Sequence, residues 1–140
     1  EGTELAAALS PDGRRVAYTS DQTGRVEVYI RNLDGTPGQW QISTDGGQQP
    51  RWSAGGRELI FAAADGHVMA VSLQTDPAFR PGASVRHFLM PERPENSAPI
   101  FEDVTPDGER LLLNVPTTSR TSIGFNTISN WTALLGAAGE

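Results

Sequence analysis

At 140 residues with a net charge of −6, fifteen glycines, ten prolines and no cysteine, the chain can build one core but offers no disulfide framework and no thiolate metal site. An acidic surface without a basic run argues against nucleic acid and anionic membranes as partners, and no apolar segment approaches the roughly 18 residues that would span a bilayer, so no membrane insertion is expected. Glycine and proline at this level favour many short strands and tight turns over long helices.

In chain order, a polar lead-in at Glu1 to Glu4 opens the sequence. The first residue is not methionine, which leaves room for a leader or a larger N-terminal region upstream. Leu5 to Leu9 reads as a buried strand that runs into Ser10-Pro11-Asp12-Gly13. Pro11 presets φ for a type I turn, Asp12 bonds nearby backbone, and Gly13 supplies the left-handed residue of a three-residue hairpin. Arg15 to Ser20 is the partner strand. Val26 to Leu33 is a third strand, with Val26, Val28 and Ile30 alternating against Glu27, Tyr29 and Arg31. Trp40 to Ser43 makes a fourth, so the first unit is a four-stranded meander.

The scheme then returns. Gln49 to Ser53, Glu58 to Ala63, His67 to Leu73 and Val85 to Leu89 are the strands of a second unit, with Asp65-Gly66 as a two-residue hairpin signal and Gln74 to Gly82 and Pro91 to Pro99 as surface loops. Ile100 to Thr105, Arg110 to Val115 and Ser122 to Trp131 make most of a third. The turns carry the repeat: Leu9-Ser10-Pro11-Asp12-Gly13, Trp52-Ser53-Ala54-Gly55-Gly56 and Val104-Thr105-Pro106-Asp107-Gly108 share one order, and their glycines lie at intervals of 43 and 52 residues. Each copy is one supersecondary unit of a repeat architecture. The middle copy, without Pro-Asp, predicts a looser turn.

Four-stranded antiparallel meanders at this interval are the pattern of β-propeller blades, so the expected fold is all-β, with about three blades at residues 5–43, 48–89 and 98–131, the last incomplete. The turn copies, with Tyr29-Ile30-Arg31-Asn32-Leu33-Asp34-Gly35, Gln41-Ile42-Ser43 and Gly46-Gly47-Gln48-Gln49-Pro50-Arg51-Trp52-Ser53, resemble the TolB-like, WD-like propeller repeat, and Ile128-Ser129-Asn130-Trp131 is similar to the last strand of such propellers. The resemblance implies the C-terminal blades of a propeller and a periplasmic or extracytoplasmic setting. It also implies a role as a binding platform, a sensory module or the gating domain of a serine peptidase. Propellers close with four to eight blades, so three leave faces uncovered. A longer propeller, a dimer of half-propellers that self-associates into six blades, or an open wedge would each answer that shortage.

For sites, Asp12 and Asp107 read as turn residues, and Leu9, Trp52 and Val104 as equivalent core positions between blades, with the Trp52 indole N–H needing an acceptor. Trp40 and Trp131 divide between core and partner anchor, with core favoured. His67 and His87 lack a third donor for a metal, and no Gly-x-Ser-x-Gly frames a nucleophile, so neither catalytic nor metal residues nor a cofactor are expected. Glu102 and Asp103 are adjacent carboxylates on a strand, which points them to opposite faces. The candidate binding surface is the channel mouth: the loops Glu1 to Glu4, Asp45 to Gln49 and Arg93 to Ser97, with Gln48, Gln49, Arg51, Glu95, Asn96, Glu102 and Asp103 as donors and acceptors for a protein or peptide segment. The leading reading is a non-enzymatic protein or peptide binder; the alternatives are a peptidase-gating propeller and a carbohydrate or small-ligand receptor.

Overall fold

The computed structural model describes residues 3–91, 100–114 and 125–129. Its geometry starts in the turns. In the first, the Ser10 amide donates to the Arg15 carbonyl at 2.9 Å and the Gly13 amide to the Ser10 carbonyl at 2.8 Å. The Ser10 hydroxyl accepts the Arg15 N–H at 2.9 Å and donates to Asp12 Oδ1 at 2.6 Å, which also accepts the Arg14 N–H at 3.0 Å. The third turn repeats this network: Thr105 Oγ1 accepts the Arg110 N–H at 3.0 Å and donates to Asp107 Oδ1, which accepts the Glu109 N–H at 3.0 Å. Gly13 and Gly108 sit at φ 69° and 78°, where a Cβ would be strained. Each hairpin is one residue longer than the three-residue form expected, because a hydroxyl, not a carbonyl, receives the closing N–H.

The middle turn lacks the aspartate and compensates. Ser53 Oγ donates to Glu58 Oε2 at 2.6 Å instead, and Ala54–Gly56 forms a short 3-10 turn. Every residue of that turn has positive φ, Ala54 included at 49°.

The strands follow from these corners. β1 (Glu4–Leu9), β2 (Arg15–Ser20), β3 (Glu27–Asn32) and β4 (Gln39–Gln41) pair antiparallel in chain order. β5 (Gly47–Ser53), β6 (Glu58–Ala63), β7 (His67–Gln74) and β8 (Arg80–Leu89) form a second such meander. β9 (Ile100–Val104), β10 (Arg110–Asn114) and β11 (Phe125–Ser129) form a third sheet. No α-helix occurs among the described residues, and no helix is long and apolar enough to cross a membrane.

The sheets stack face to face, which the two halves of the core make plain. Ala17, Val28 and Ile30 of the first sheet meet Leu59, Phe61, Val71 and Leu73 of the second. The other face of the second sheet, through Ile60, Ala62, Val68 and Ala70, meets Val104, Leu111 and Leu113 of the third. Alternation therefore serves two cores at once, and the middle strands β2, β3, β6 and β7 are buried on both sides. The corners also touch. The Gly55 amide donates to the Pro106 carbonyl at 3.2 Å, and a Cβ on Gly56 would stand 3.2 Å from Pro11 Cδ. Fully antiparallel, radially successive sheets are the observed class.

Four further expectations need correction. β1 is exposed along almost its whole length: Leu9 is 66% exposed while its equivalent Val104 is 8% exposed. Trp52 faces the first sheet and Val104 the second, so Leu9 faces the side where a preceding sheet would lie, and no described residue fills it. Val26 and Glu27 exchange roles, since Val26 is exposed and Glu27 is 1% exposed. A set of local donors makes that burial tolerable: Arg25 Nε at 2.8 Å, the Gly46 amide at 3.0 Å and the Ser43 hydroxyl all meet the carboxylate. Asp65-Gly66 belongs to a three-residue connection, Ala64 to Gly66, between β6 and β7. The segment Gln74 to Gly82 is not all loop, because β8 begins at Arg80 and Phe79 packs edge-on to Trp40 at 4.5 Å.

Candidate functional site

The first strand of each sheet lies beside the first strand of the next: β1 beside β5 and β5 beside β9. All three break register at one place. Leu5 pairs with Thr19 and Ala8 with Ala17, so Ala6 and Ala7 together oppose one residue. Gln48 pairs with Ala62 and Arg51 with Ile60, which leaves Gln49 and Pro50 against one. Phe101 pairs with Leu113 and Asp103 with Leu112, leaving Glu102 extra. The extra residues fall three to four positions before Ser10, Ser53 and Thr105, so the bulge is part of the repeat. A bulge bends its strand and re-aims side chains. Ala6 and Gln49 hold the left-handed region at φ 46° and 56° without being glycine.

Of the candidate residues, Gln48, Gln49, Arg51 and Glu102 gather along this line of bulges, and all four are half-buried. Arg51 Nε donates to the Glu102 carbonyl at 2.9 Å and Nη1 to the Pro50 carbonyl at 2.9 Å, which ties β5 to β9. Arg51 is thus a bracket between sheets. Asp103 lies apart from that line. It pairs with Leu112, its Oδ1 accepts the Val104 amide at 2.8 Å, and it lines a cleft of about 410 Å³ with Thr105, Arg110 and Leu112. Glu95, Asn96 and Trp131, and with them the loop Arg93 to Ser97, lie outside the described residues.

The remaining polar candidates have structural partners. Asp12 and Asp107 are held below the usual carboxylate range first by the Ser10 and Thr105 hydroxyls and then by backbone amides. Trp52 Nε1 donates to the Ala8 carbonyl at 2.9 Å, which supplies the acceptor its indole required and ties β5 to β1. His67 Nδ1 stands 3.1 Å from Asp65 Oδ1, while Arg86 Nη2 takes Asp65 Oδ2 at 3.0 Å. Burial lowers the His87 pKa, with Glu58 opposing. Among the described residues no group of three or more His, Cys, Asp or Glu side chains could hold a metal ion.

The bulges escaped sequence reading because Ala6-Ala7 and Gln49-Pro50 contain no glycine. The Pro50 in β5 was the one available signal, since proline inside a strand marks an edge or a bulge.

Neither a protein-family model nor a curated protein matches the sequence. Solved structures do. The chain is similar to an oligogalacturonate lyase from Vibrio parahaemolyticus at TM-score 0.55 and 17% identity, covering 77% of this chain and 27% of the lyase. It is similar to the β-propeller domain of Cps50 (Swd1) from Myceliophteria thermophila at TM-score 0.52 and 12% identity, covering 92% of this chain and 40% of that one. TolB from Acinetobacter baumannii aligns at TM-score 0.42 and 16% identity, over 92% of this chain and 44% of TolB. The chain spans less than half the length of each. Identities this low speak to fold alone, and the fold that the Cps50 (Swd1) domain shares with this chain is the β-propeller.

Proposed function

We propose that the chain is part of a TolB-like β-propeller, with blades at residues 5–43, 48–89 and 98–131, that serves as a non-enzymatic scaffold and binds a protein or peptide segment along its innermost strands. The observation that carries this reading is the bulge recurring at one offset in all three units, with Gln49 kept in a conformation that costs a non-glycine residue about 1 kcal/mol. Backbone strain held beside half-buried amide and carboxylate side chains supports recognition by hydrogen bonding. Arg51 has a different part in this reading. Two of its donors are already committed to carbonyls, so it stiffens the surface and is a poor probe of it.

The test uses peptides selected by display on the purified chain. Binding should weaken at least about tenfold in the Gln48→Ala, Glu102→Ala double variant, a loss of about 1.4 kcal/mol or more, with Asp34→Ala unaffected. Selected peptides that bind the double variant as well as the parent would overturn this location. A thermal-shift panel in which oligosaccharides stabilise the chain and no peptide does would overturn the ligand class.

The proposal extends to assembly. Leu9 is exposed on the first strand of the first sheet, at the register position where the next two sheets carry the half-buried Trp52 and the buried Val104, which supports further blades completing a ring. A second copy of this chain or more of the same propeller would supply them.

A further inference from the structure

We propose that Asp34-Gly35 is a site of spontaneous covalent modification, where the Gly35 amide nitrogen closes on the Asp34 carboxyl and the aspartate becomes an isoaspartate. The site is separate from the binding surface proposed above and lies in the connection between β3 and β4. The chain has five Asp-Gly pairs, beginning at Asp12, Asp34, Asp45, Asp65 and Asp107. Glycine has no Cβ to keep its nitrogen from the preceding side chain, so by sequence all five are alike.

The structure separates them by what each glycine amide does. Gly13 donates to the Ser10 carbonyl at 2.8 Å, Gly108 to the Thr105 carbonyl at 2.8 Å and Gly66 to the Ala63 carbonyl at 3.1 Å. Gly46 donates to the Glu27 carboxylate at 3.0 Å. The Gly35 amide has no acceptor among the described residues. An amide already bound must give up its hydrogen bond before its nitrogen can attack, and Gly35 has none to give up. The electrophile beside it is prepared as well. Asp34 Oδ1 accepts the Thr36 amide at 3.0 Å and also the Thr36 hydroxyl. Two donors on one oxygen polarise Cγ and hold the oxyanion that forms when nitrogen adds to it. Asp12 and Asp107 have the same pair of donors, but their glycine amides are committed to the turn. Asp34 alone of the five combines both conditions.

The chemistry needs only water. The Gly35 nitrogen adds to Cγ, Oδ2 leaves as water with the amide proton and one proton from solvent, and a five-membered succinimide remains. Water then opens the ring. Attack at Cγ restores aspartate, whereas attack at the α-carbonyl leaves the main chain running through Cγ and frees an α-carboxylate. No atom or charge is gained or lost over the two steps. Asp34 and Gly35 are exposed, and a Cβ on Gly35 would meet nothing within 4 Å, so water has access to both steps. The product carries one more methylene in its main chain. That length falls between two bonds that bracket the connection, the Leu33 amide to the Arg14 carbonyl at 2.9 Å and the Asn32 amide to the Gly38 carbonyl at 3.1 Å.

The test incubates the folded, unmodified chain in H₂¹⁸O at neutral pH. Each ring opening leaves one ¹⁸O in the carboxyl concerned, and fragment-ion mass spectrometry after digestion in ordinary water reads it at every Asp-Gly pair. Cleavage between Cα and Cβ of the main chain identifies the isoaspartate. Asp34 should gain label at least about fivefold faster than any of the others, the advantage of an amide with no hydrogen bond to release, and isoaspartate should accumulate there. In urea that unfolds the chain the five rates should converge, because the committed amides are then released. Thr36→Val keeps the β-branch and the amide but removes the hydroxyl, and should slow labelling at Asp34 several-fold. Label that appears in the folded chain at all five pairs alike, or first at another of them, overturns the site. A Thr36→Val chain that labels Asp34 at the parent's rate overturns it too, since the doubly held oxygen would not be the cause.

Discussion

Asp12 and Asp107 each close a hairpin as charged acceptors, and the charge makes the turns sensitive to acid. Both carboxyls lie below their ordinary value of 3.8 because a hydroxyl and an amide donate to the ionised form. A folded-state pKa below the unfolded one means stability that is complete above about 3.8 and is lost as pH falls through the lower folded value. Denaturant midpoints measured from about pH 5 down to about pH 2 should therefore fall further in the parent than in an Asp12→Asn, Asp107→Asn double variant, which keeps an acceptor oxygen and loses the titration. Parallel curves would show that these bonds do not depend on charge. The bulge residues yield a second prediction at this scale. Ala6 is exposed and sits at φ 46°. Ala6→Gly should hold stability or raise it by up to about 1 kcal/mol, and Ala6→Val should lower it by about 1–2 kcal/mol, since a β-branched residue is worst placed in the left-handed region. Urea unfolding of the two variants checks the order; equal values would mean that the bulge relaxes when substituted.

Between residue and sheet, Glu27 decides how the first meander joins the second. Its buried carboxylate collects Arg25 Nε, the Ser43 hydroxyl and the Gly46 amide, and so fastens the start of β3 to the connection that leads into β5. Glu27→Gln puts an N–H₂ among donors and removes the charge. The expected loss is about 2–3 kcal/mol in urea unfolding, the scale of a charged hydrogen-bond set left partly unmade. A loss below about 0.5 kcal/mol would mean that water replaces the carboxylate at no cost. This element also shows what a sequence conceals. The Ser-Pro-Asp-Gly and Thr-Pro-Asp-Gly turns announce themselves because proline, aspartate and glycine each have a local reason to be there, and from them the strands and the meander order follow. Glu27 has no local reason: an alternating strand assigns glutamate to water, and Ser43 and Gly46, which reverse that assignment, lie 16 and 19 residues away. Leu9 was misjudged for the converse cause. Repeat equivalence to Trp52 and Val104 located its face correctly, but burial needs a neighbour, and a sequence motif does not supply one. Of the candidate surface, the strands that carry Gln48, Gln49, Arg51 and Glu102 were legible; the bulge that aligns them was not.

At the scale of the whole molecule, the direction of stacking carries the argument. Each sheet turns the side of its first strand marked by Leu9, Trp52 or Val104 toward the sheet before it. Trp52 and Val104 find one, and Leu9 finds none among the described residues. The third sheet turns its other side, with Asp103, Arg110 and Leu112, toward the cleft of about 410 Å³. In a closed ring those two sides meet, and two copies of three sheets would meet twice, which falls within the usual range of propeller blades. Light scattering of the 140-residue chain over a range of concentrations should accordingly rise from the 15.0 kDa of one copy toward twice that value. Leu9→Glu should move the midpoint of that rise at least about tenfold higher in concentration, because a carboxylate without a partner would be buried at each of the two contacts. Leu33→Glu serves as the control, since Leu33 is equally an exposed leucine but lies after β3 and off the β1 face. If both variants shift the midpoint alike, the association is general hydrophobic clustering. If the parent stays at 15.0 kDa throughout, this chain does not pair with itself, and the face at Leu9 belongs to other blades of the same propeller.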